Sequence, residues 1–86
     1  MYQILNASRR VERELDKIPG RDFERVAKAI QRLAENPRPF GVVKLADNIF
    51  RIRVGRYRVI YAIDDTAKIV IITNVKKRSE GTYKSF

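Results

Sequence analysis

The 86-residue chain contains no cysteine and no histidine. Without cysteine, neither a disulfide framework nor a thiolate metal site can form. Without histidine, the common transition-metal sites and every imidazole-based catalytic arrangement are excluded. No metal and no other cofactor is expected. Long apolar runs are missing too. The longest, such as VIYAI at 59–63, reach about a quarter of a membrane span. The first twenty residues, MYQILNASRRVERELDKIPG, carry charge from Arg9 onward and no apolar stretch of the kind that marks export. The expectation is a cytoplasmic protein with no membrane partner.

Acidic residues are scarce. Nineteen Lys and Arg stand against ten Asp and Glu, a net charge of +9, and the pI is near 10.4. The excess is uneven. Residues 1–43 carry nine basic and six acidic groups, a net of +3, whereas residues 44–86 carry ten and four, a net of +6. Such a field favours a polyanion as partner; an inert, solubilising basic surface is the alternative. The length fits one domain, residues 1–86. A chain this short buries only about two-thirds of its unfolded surface, enough for one modest core.

The apolar periods divide the chain into elements. MYQIL (1–5) suits a first strand. Ala7, Val11, Leu15 and Ile18 then fall on one helical stripe that Pro19-Gly20 ends. Phe23, Val26, Ala27, Ile30, Leu33 and Ala34 repeat at helical spacing, with Asp22 near the start and Asn36-Pro37 as the stop. RPFGV (38–42) reads as a loop. Three strand segments follow: Ile49–Val54, Tyr57–Asp64 and Lys68–Val75. The predicted fold class is α+β, a β-α-α-β-β-β order with a helical pair packed on a mainly antiparallel sheet.

Four of the cations lie within one strand pair. FRIRVGRYRVIY (50–61) carries Arg51, Arg53, Arg56 and Arg58. Gly55-Arg56 is a two-residue connection whose first glycine suits a type II′ hairpin. That turn sets Val54 opposite Tyr57, Arg53 opposite Arg58 and Arg51 opposite Ile60. Arg51, Arg53 and Arg58 then share one face, while Phe50, Ile52, Val54, Tyr57, Val59, Tyr61 and Ile63 share the face that meets the helices. Like charges directly opposite cost stability, so Arg53 against Arg58 is a poor choice for a purely structural sheet. A three-residue turn, Asp65-Thr66-Ala67, would pair Ala62 with Val70 and bring Asn74, Lys76 and Arg78 to the arginine face. No carboxylate interrupts residues 48–63. The cluster offers guanidinium forks to phosphate oxygens.

The stretch KLADNIFRIRVGRYRVIYAID (44–64), followed by VKKRSEGTYK (75–84), resembles the RelE toxins of the RelE/ParE superfamily over nearly the whole chain. The resemblance implies a toxin of a type II toxin–antitoxin system that cuts messenger RNA in the ribosomal A site, without metal. It implies Arg51, Arg53, Arg58, Arg78 and Tyr83 as catalytic residues. The basic residues around them, Lys44, Arg56, Lys76 and Lys77, are expected as further RNA contacts. The resemblance also implies a RelB-like antitoxin as partner, besides the ribosome and its mRNA, with the toxin a monomer inside a heteromeric complex. The better-studied pattern has lysines where this chain has Arg51 and Arg53. Arginine is effectively always protonated, so these two can stabilise charge and cannot act as bases. Tyr83, Glu80 and the lysines Lys76 and Lys77 remain as proton acceptors. A ParE-like inhibitor of DNA gyrase, a catalytically degenerate toxin and a plain nucleic-acid-binding module are the competing functions.

Overall fold

The computed structural model describes residues 1–77. Strand β1 (Gln3–Asn6) leads into helices α1 (Arg9–Asp16) and α2 (Gly20–Arg32), followed by β2 (Val43–Ala46), β3 (Ile49–Val54), β4 (Tyr57–Asp64) and β5 (Ile69–Lys77). The strands form one sheet in the order β1-β5-β4-β3-β2. Among the described residues, only the β1–β5 pair is parallel. The α+β class and the helical hairpin are as expected. None of the described helices is long and apolar enough to cross a membrane.

The helical stripes bury Val11, Ile18, Val26, Ile30 and Leu33 against Phe50, Ile52, Tyr57, Val59, Tyr61, Ile63, Val70, Ile72 and Val75. This is the alternate set of strand residues, and the opposite sheet face receives no helix side chain in the core cluster. Ala27 and Ala34 of the predicted stripes are half-buried outside the core cluster, and two further members are exposed. Ala7 precedes α1 and is exposed, and Phe23 lies at the margin of the α2 stripe with 40% of its surface accessible.

Two strand features differ from the sequence-based expectation. Strand β2 occupies residues left unassigned between the predicted loop and the first of the three strand segments. It is four residues long, exposed throughout, and irregular between Lys44 and Ala46, so it carries no alternation to find. The β4–β5 connection spans four residues rather than three. Lys68 takes a left-handed φ of 60° there, and the Ala67 N–H donates to Asp64 Oδ1 at 2.9 Å. The extra residue shifts the register by one. Ala62 pairs with Ile71, and not with Val70 as expected; Val70 pairs with Ile63 and turns inward with it.

The end of the sheet carrying that turn is tied by side chains. Asp65 accepts both guanidinium donors of Arg38, at 3.3 and 2.9 Å, and the Tyr2 hydroxyl. Hydrogen bonding from Arg38 first, then Tyr2, lowers the Asp65 carboxyl to about 2. The Arg38 guanidinium also lies 5.2 Å from the Phe50 ring centroid. Deeper in, fully buried Tyr61 donates its hydroxyl to the Pro37 carbonyl at 2.7 Å, fixing the segment after α2 onto the sheet.

Burial pushes the Tyr61 phenol up to about 12 against a smaller lowering effect of Arg38. Replacing Tyr61 with Phe leaves the Pro37 carbonyl without that donor and should cost about 1–3 kcal/mol, read from urea unfolding near neutral pH. The folded-state pKa lies above the unfolded value of about 10. The stabilisation is therefore complete below the unfolded pKa and declines as pH rises through the folded one. The gap between wild type and Tyr61→Phe should shrink over that alkaline window. A gap that stays constant there would show that the hydroxyl does not resist ionisation in the fold.

Candidate functional site

The hairpin turn sets the site. Gly55 has a φ of 59° and Arg56 does not share the left-handed region, the combination a type II′ turn requires. A Cβ at Gly55 would approach Nη2 of Arg25 on α2 to 3.2 Å, so glycine also lets that guanidinium lie against the turn. The register that follows is the expected one: Val54 with Tyr57, Arg53 with Arg58, Ile52 with Val59 and Arg51 with Ile60. Tyr57 and Tyr61 are core residues, buried on the helix side.

On the other side of β4, Arg58 lies opposite Lys76 and Ile60 opposite Asn74. Arg51, Arg53, Arg58, Asn74 and Lys76 therefore project from the same face, the one away from the helices. Arg51 and Arg58 are half-buried; Arg53 and Lys76 are exposed. The Nε of Arg51 is buried and has no hydrogen-bond partner among the described residues. Leaving a buried charged donor unsatisfied is costly, and a phosphate oxygen would satisfy it.

Lys76 reaches this face only because β5 is irregular. The pairing passes from Tyr61 with Ile72 to Ile60 with Asn74, which leaves Thr73 as an extra residue. Up to Ile72 the even-numbered residues of β5 point inward; beyond Thr73, Val75 does so and Asn74 and Lys76 point outward. The Thr73 hydroxyl donates to the Ile60 carbonyl across the bulge at 3.1 Å.

The remaining sequence candidates are dispersed. Arg56 is exposed in the turn. Lys77 pairs with Tyr57, which puts it at a helix-side register position at the sheet's end. Lys44 pairs with Phe50 and makes an ion pair at 3.7 Å with Asp47. Arg78, Glu80 and Tyr83 lie outside the described residues. Two further residues border this region and were not visible as such in the sequence. Arg32, at the end of α2, shares the lining of a groove of about 500 Å³ with Arg51, Arg53, Phe40, Val43 and Val54 at the β3 side of the sheet. Glu14 of α1 lies 3.3 Å from Lys76 Nζ. Helical periodicity marks both as surface residues and says nothing about which strand end they reach. Among the described residues, no three or more carboxylates gather to hold a metal ion.

Comparison with known proteins bears on the family and the fold. Residues 5–81 match the family model described as ParE toxin of type II toxin–antitoxin system, parDE. A putative toxin RelE1 from Methanocaldococcus jannaschii is 32% identical, with 90% of each chain covered. The archaeal RelE–RelB complex from Pyrococcus horikoshii contains a chain with a TM-score of 0.83 and 28% identity, covering 92% of this chain and 97% of that one. The isolated Escherichia coli RelE toxin shares the fold, with a TM-score of 0.79 at 22% identity over 99% and 95% of the two chains. The chain is a RelE-type toxin, a member of the RelE/ParE superfamily of type II toxin–antitoxin systems.

Proposed function

We propose that this toxin is a metal-independent endoribonuclease that cuts mRNA in the ribosomal A site and so arrests translation. The observation that carries the proposal is the gathering of Arg51, Arg53 and Arg58 on one sheet face, with Arg53 and Arg58 in direct cross-strand register. That arrangement costs a sheet stability and suits a phosphate in flight between bonds. In the reaction the 2′-oxygen attacks the adjacent phosphorus, the bond to the 5′-oxygen breaks, and the products end in a 2′,3′-cyclic phosphate and a 5′-hydroxyl. One proton leaves the 2′-hydroxyl and one is delivered to the departing oxygen. The arginines, with Arg78, stabilise the charge that builds on the phosphoryl oxygens. The ribosome orients the codon, and positioning of that kind lowers the barrier without any group of unusual basicity.

Arg51 and Arg53 hold their protons throughout, so the acceptor is another group: Tyr83 is the first candidate, with Glu80, Lys76 and Lys77 as the alternatives. Lys44, Arg56, Lys76 and Lys77 contribute contacts to RNA. A RelB-like antitoxin that orders on binding is the proposed protein partner, supported by the relatives whose structures are RelE–RelB complexes. Both act in the cytoplasm, where ribosomes are. The family model's own designation as a ParE toxin favours a second reading, inhibition of DNA gyrase. Inducing the protein alone and mapping the 5′ ends of cellular mRNA distinguishes the two. Cuts inside codons support the ribonuclease. Intact mRNA together with blocked supercoiling supports the gyrase inhibitor.

Association with ribosomes should weaken steeply with salt, because each phosphate contact releases counterions. An affinity that stays flat from low to moderate salt would remove the polyanion contact. Arg58→Ala or Arg78→Ala should lower single-turnover cleavage by about 10²–10³-fold, the usual loss of one charge-stabilising donor, while circular dichroism and the unfolding midpoint report a folded protein. Full toxicity in either variant would reject its assignment.

Tyr83→Phe keeps the ring and removes only the hydroxyl. A loss on the order of 10²-fold or more at saturating protein would fit acid–base work. Arg51→Lys should retain binding and part of the rate. A Tyr83→Phe rate within about twofold of wild type would transfer the acceptor role to Glu80, a tail lysine or the ribosome.

A further inference from the structure

Strand β1 covers the edge of β5 only as far as Ile72, where Asn6 pairs and the Ala7 N–H donates to the Ile72 carbonyl at 2.8 Å. The next edge groups, the Thr73 carbonyl and the Val75 N–H, are met by α1. Nη2 of Arg10 donates to the Thr73 carbonyl at 3.1 Å, and Oε1 of Glu14 accepts the Val75 N–H at 3.0 Å. One turn of helix thus presents a donor and an acceptor where a neighbouring strand would have them. An i, i+4 contact between Arg10 Nη1 and Glu14 Oε2, at 3.1 Å, locks the two side chains together.

The second oxygen of Glu14 does more than hold Arg10. Oε2 also lies 3.3 Å from Lys76 Nζ, and the Glu14 side chain is only 15% exposed whereas Lys76 is 58% exposed. Burial raises the Glu14 carboxyl, but Val75, Lys76 and Arg10 outweigh it and hold the group below its ordinary value. It is an ionised carboxylate at the border of a cationic face, with each oxygen committed to β5.

We propose that Glu14 is a positioning residue for the RNA-contacting face: it fixes the bulged end of β5 through the Val75 N–H and tethers the Lys76 ammonium at the sheet edge. The functional part rests on the mRNA-cleavage reading. Lys76 is in register with Arg58, and a lysine free of its tether would swing over that arginine and compete for the same phosphate. Glu14 sets where the outermost cation of the face stands. Its two tasks are chemically separable, since an amide at this position can still accept the Val75 N–H but exerts no charge on Lys76.

The test uses Glu14→Gln, Lys76→Met and the double variant in the full-length chain. Amide exchange at Val75 reports the hydrogen bond, and the Lys76 Nζ and Cε resonances report the tether without reference to activity. In Glu14→Gln, Val75 should stay protected while the Lys76 resonances shift to those of a free lysine. On mRNA-programmed ribosomes, half-saturation should occur at equal or lower protein concentration, because the net positive charge has risen. The saturated single-turnover rate should fall by roughly tenfold, in line with the cost of a displaced group. In the Lys76→Met background, Glu14→Gln should change that rate little, since the tethered group is gone.

A merely structural Glu14 would lower stability and leave the saturated rate unchanged, which would overturn the inference. So would unaltered Lys76 resonances, or an equal rate loss with and without Lys76. Should the wild-type protein cut no ribosome-bound mRNA, the functional reading fails, and the tether itself is still decided by the Lys76 resonances.

Discussion

Strand β5 has to bury Val70 and Ile72 near one end and Val75 near the other. Side chains alternate along a regular strand, so no uninterrupted strand can do this. One extra residue, Thr73, reverses the parity. The β5 residues beyond Thr73 inherit that reversal. With it, Asn74 and Lys76 join the face of Arg51, Arg53 and Arg58; without it they would point toward the helices and Val75 would face solvent. The core and the cationic face are solved by the same insertion, so neither can be altered alone. A bulge also frees backbone groups. Here the Thr73 hydroxyl, Arg10 and Glu14 take up groups along that stretch, and the ordinary cost of an irregular strand is offset.

The edge contact between α1 and β5 has a second consequence. An uncovered strand edge invites pairing with another chain. Arg10 and Glu14 occupy part of that edge with side chains that no incoming strand could accommodate without breaking an ion pair. At the opposite edge, β2 is short, irregular and carries Lys44, which are common ways of making an edge a poor template. The sheet is thus guarded at both margins, and its open face carries like charges that repel a second copy.

The hairpin was legible because its turn is a local device. Gly55-Arg56 admits one geometry, and that geometry fixes the register of Arg51, Arg53 and Arg58 without information from elsewhere. The apolar stripes of α1 and α2 were legible for a similar reason, since helical periodicity is written in the order of the residues. What escaped depends on contacts between segments distant in the chain. The four-residue β4–β5 connection needs Lys68 in a left-handed conformation, which lysine does not advertise, and the register of Ala62 followed from its length. The Thr73 bulge is held by α1, about sixty positions earlier in sequence, and a run such as IVIITNVKK reads equally well as a straight strand. Glu14 lies off the apolar stripe of α1, and its partners, Val75 and Lys76, come to it only through the fold.

Charge is distributed along the sheet as well as across it. Asp47, Asp64 and Asp65 sit at the turns on one end of β3 and β4, where Lys44 and Arg38 form ion pairs with two of them. The hairpin at the other end carries Arg53, Arg56 and Arg58, joined by Lys76 and Lys77, in a stretch of sequence without a carboxylate between residues 48 and 63. A nearly neutral end and a cationic end give the molecule an electrostatic direction. A polyanion approached through solvent would meet the hairpin end first, and the field would turn the protein before any contact formed. At physiological salt such steering extends only about 8 Å from the surface, so it acts on the last step of docking, where orientation decides whether a phosphate arrives at the arginine face or at its rim. Arg51, half-buried with its Nε unsatisfied and set inward from the hairpin tip, is the group such a sliding phosphate would reach last. The exposed cations attract and orient; the half-buried one has already lost part of its hydration and holds its donor in a fixed direction, which is the condition under which a hydrogen bond to a developing charge is strongest.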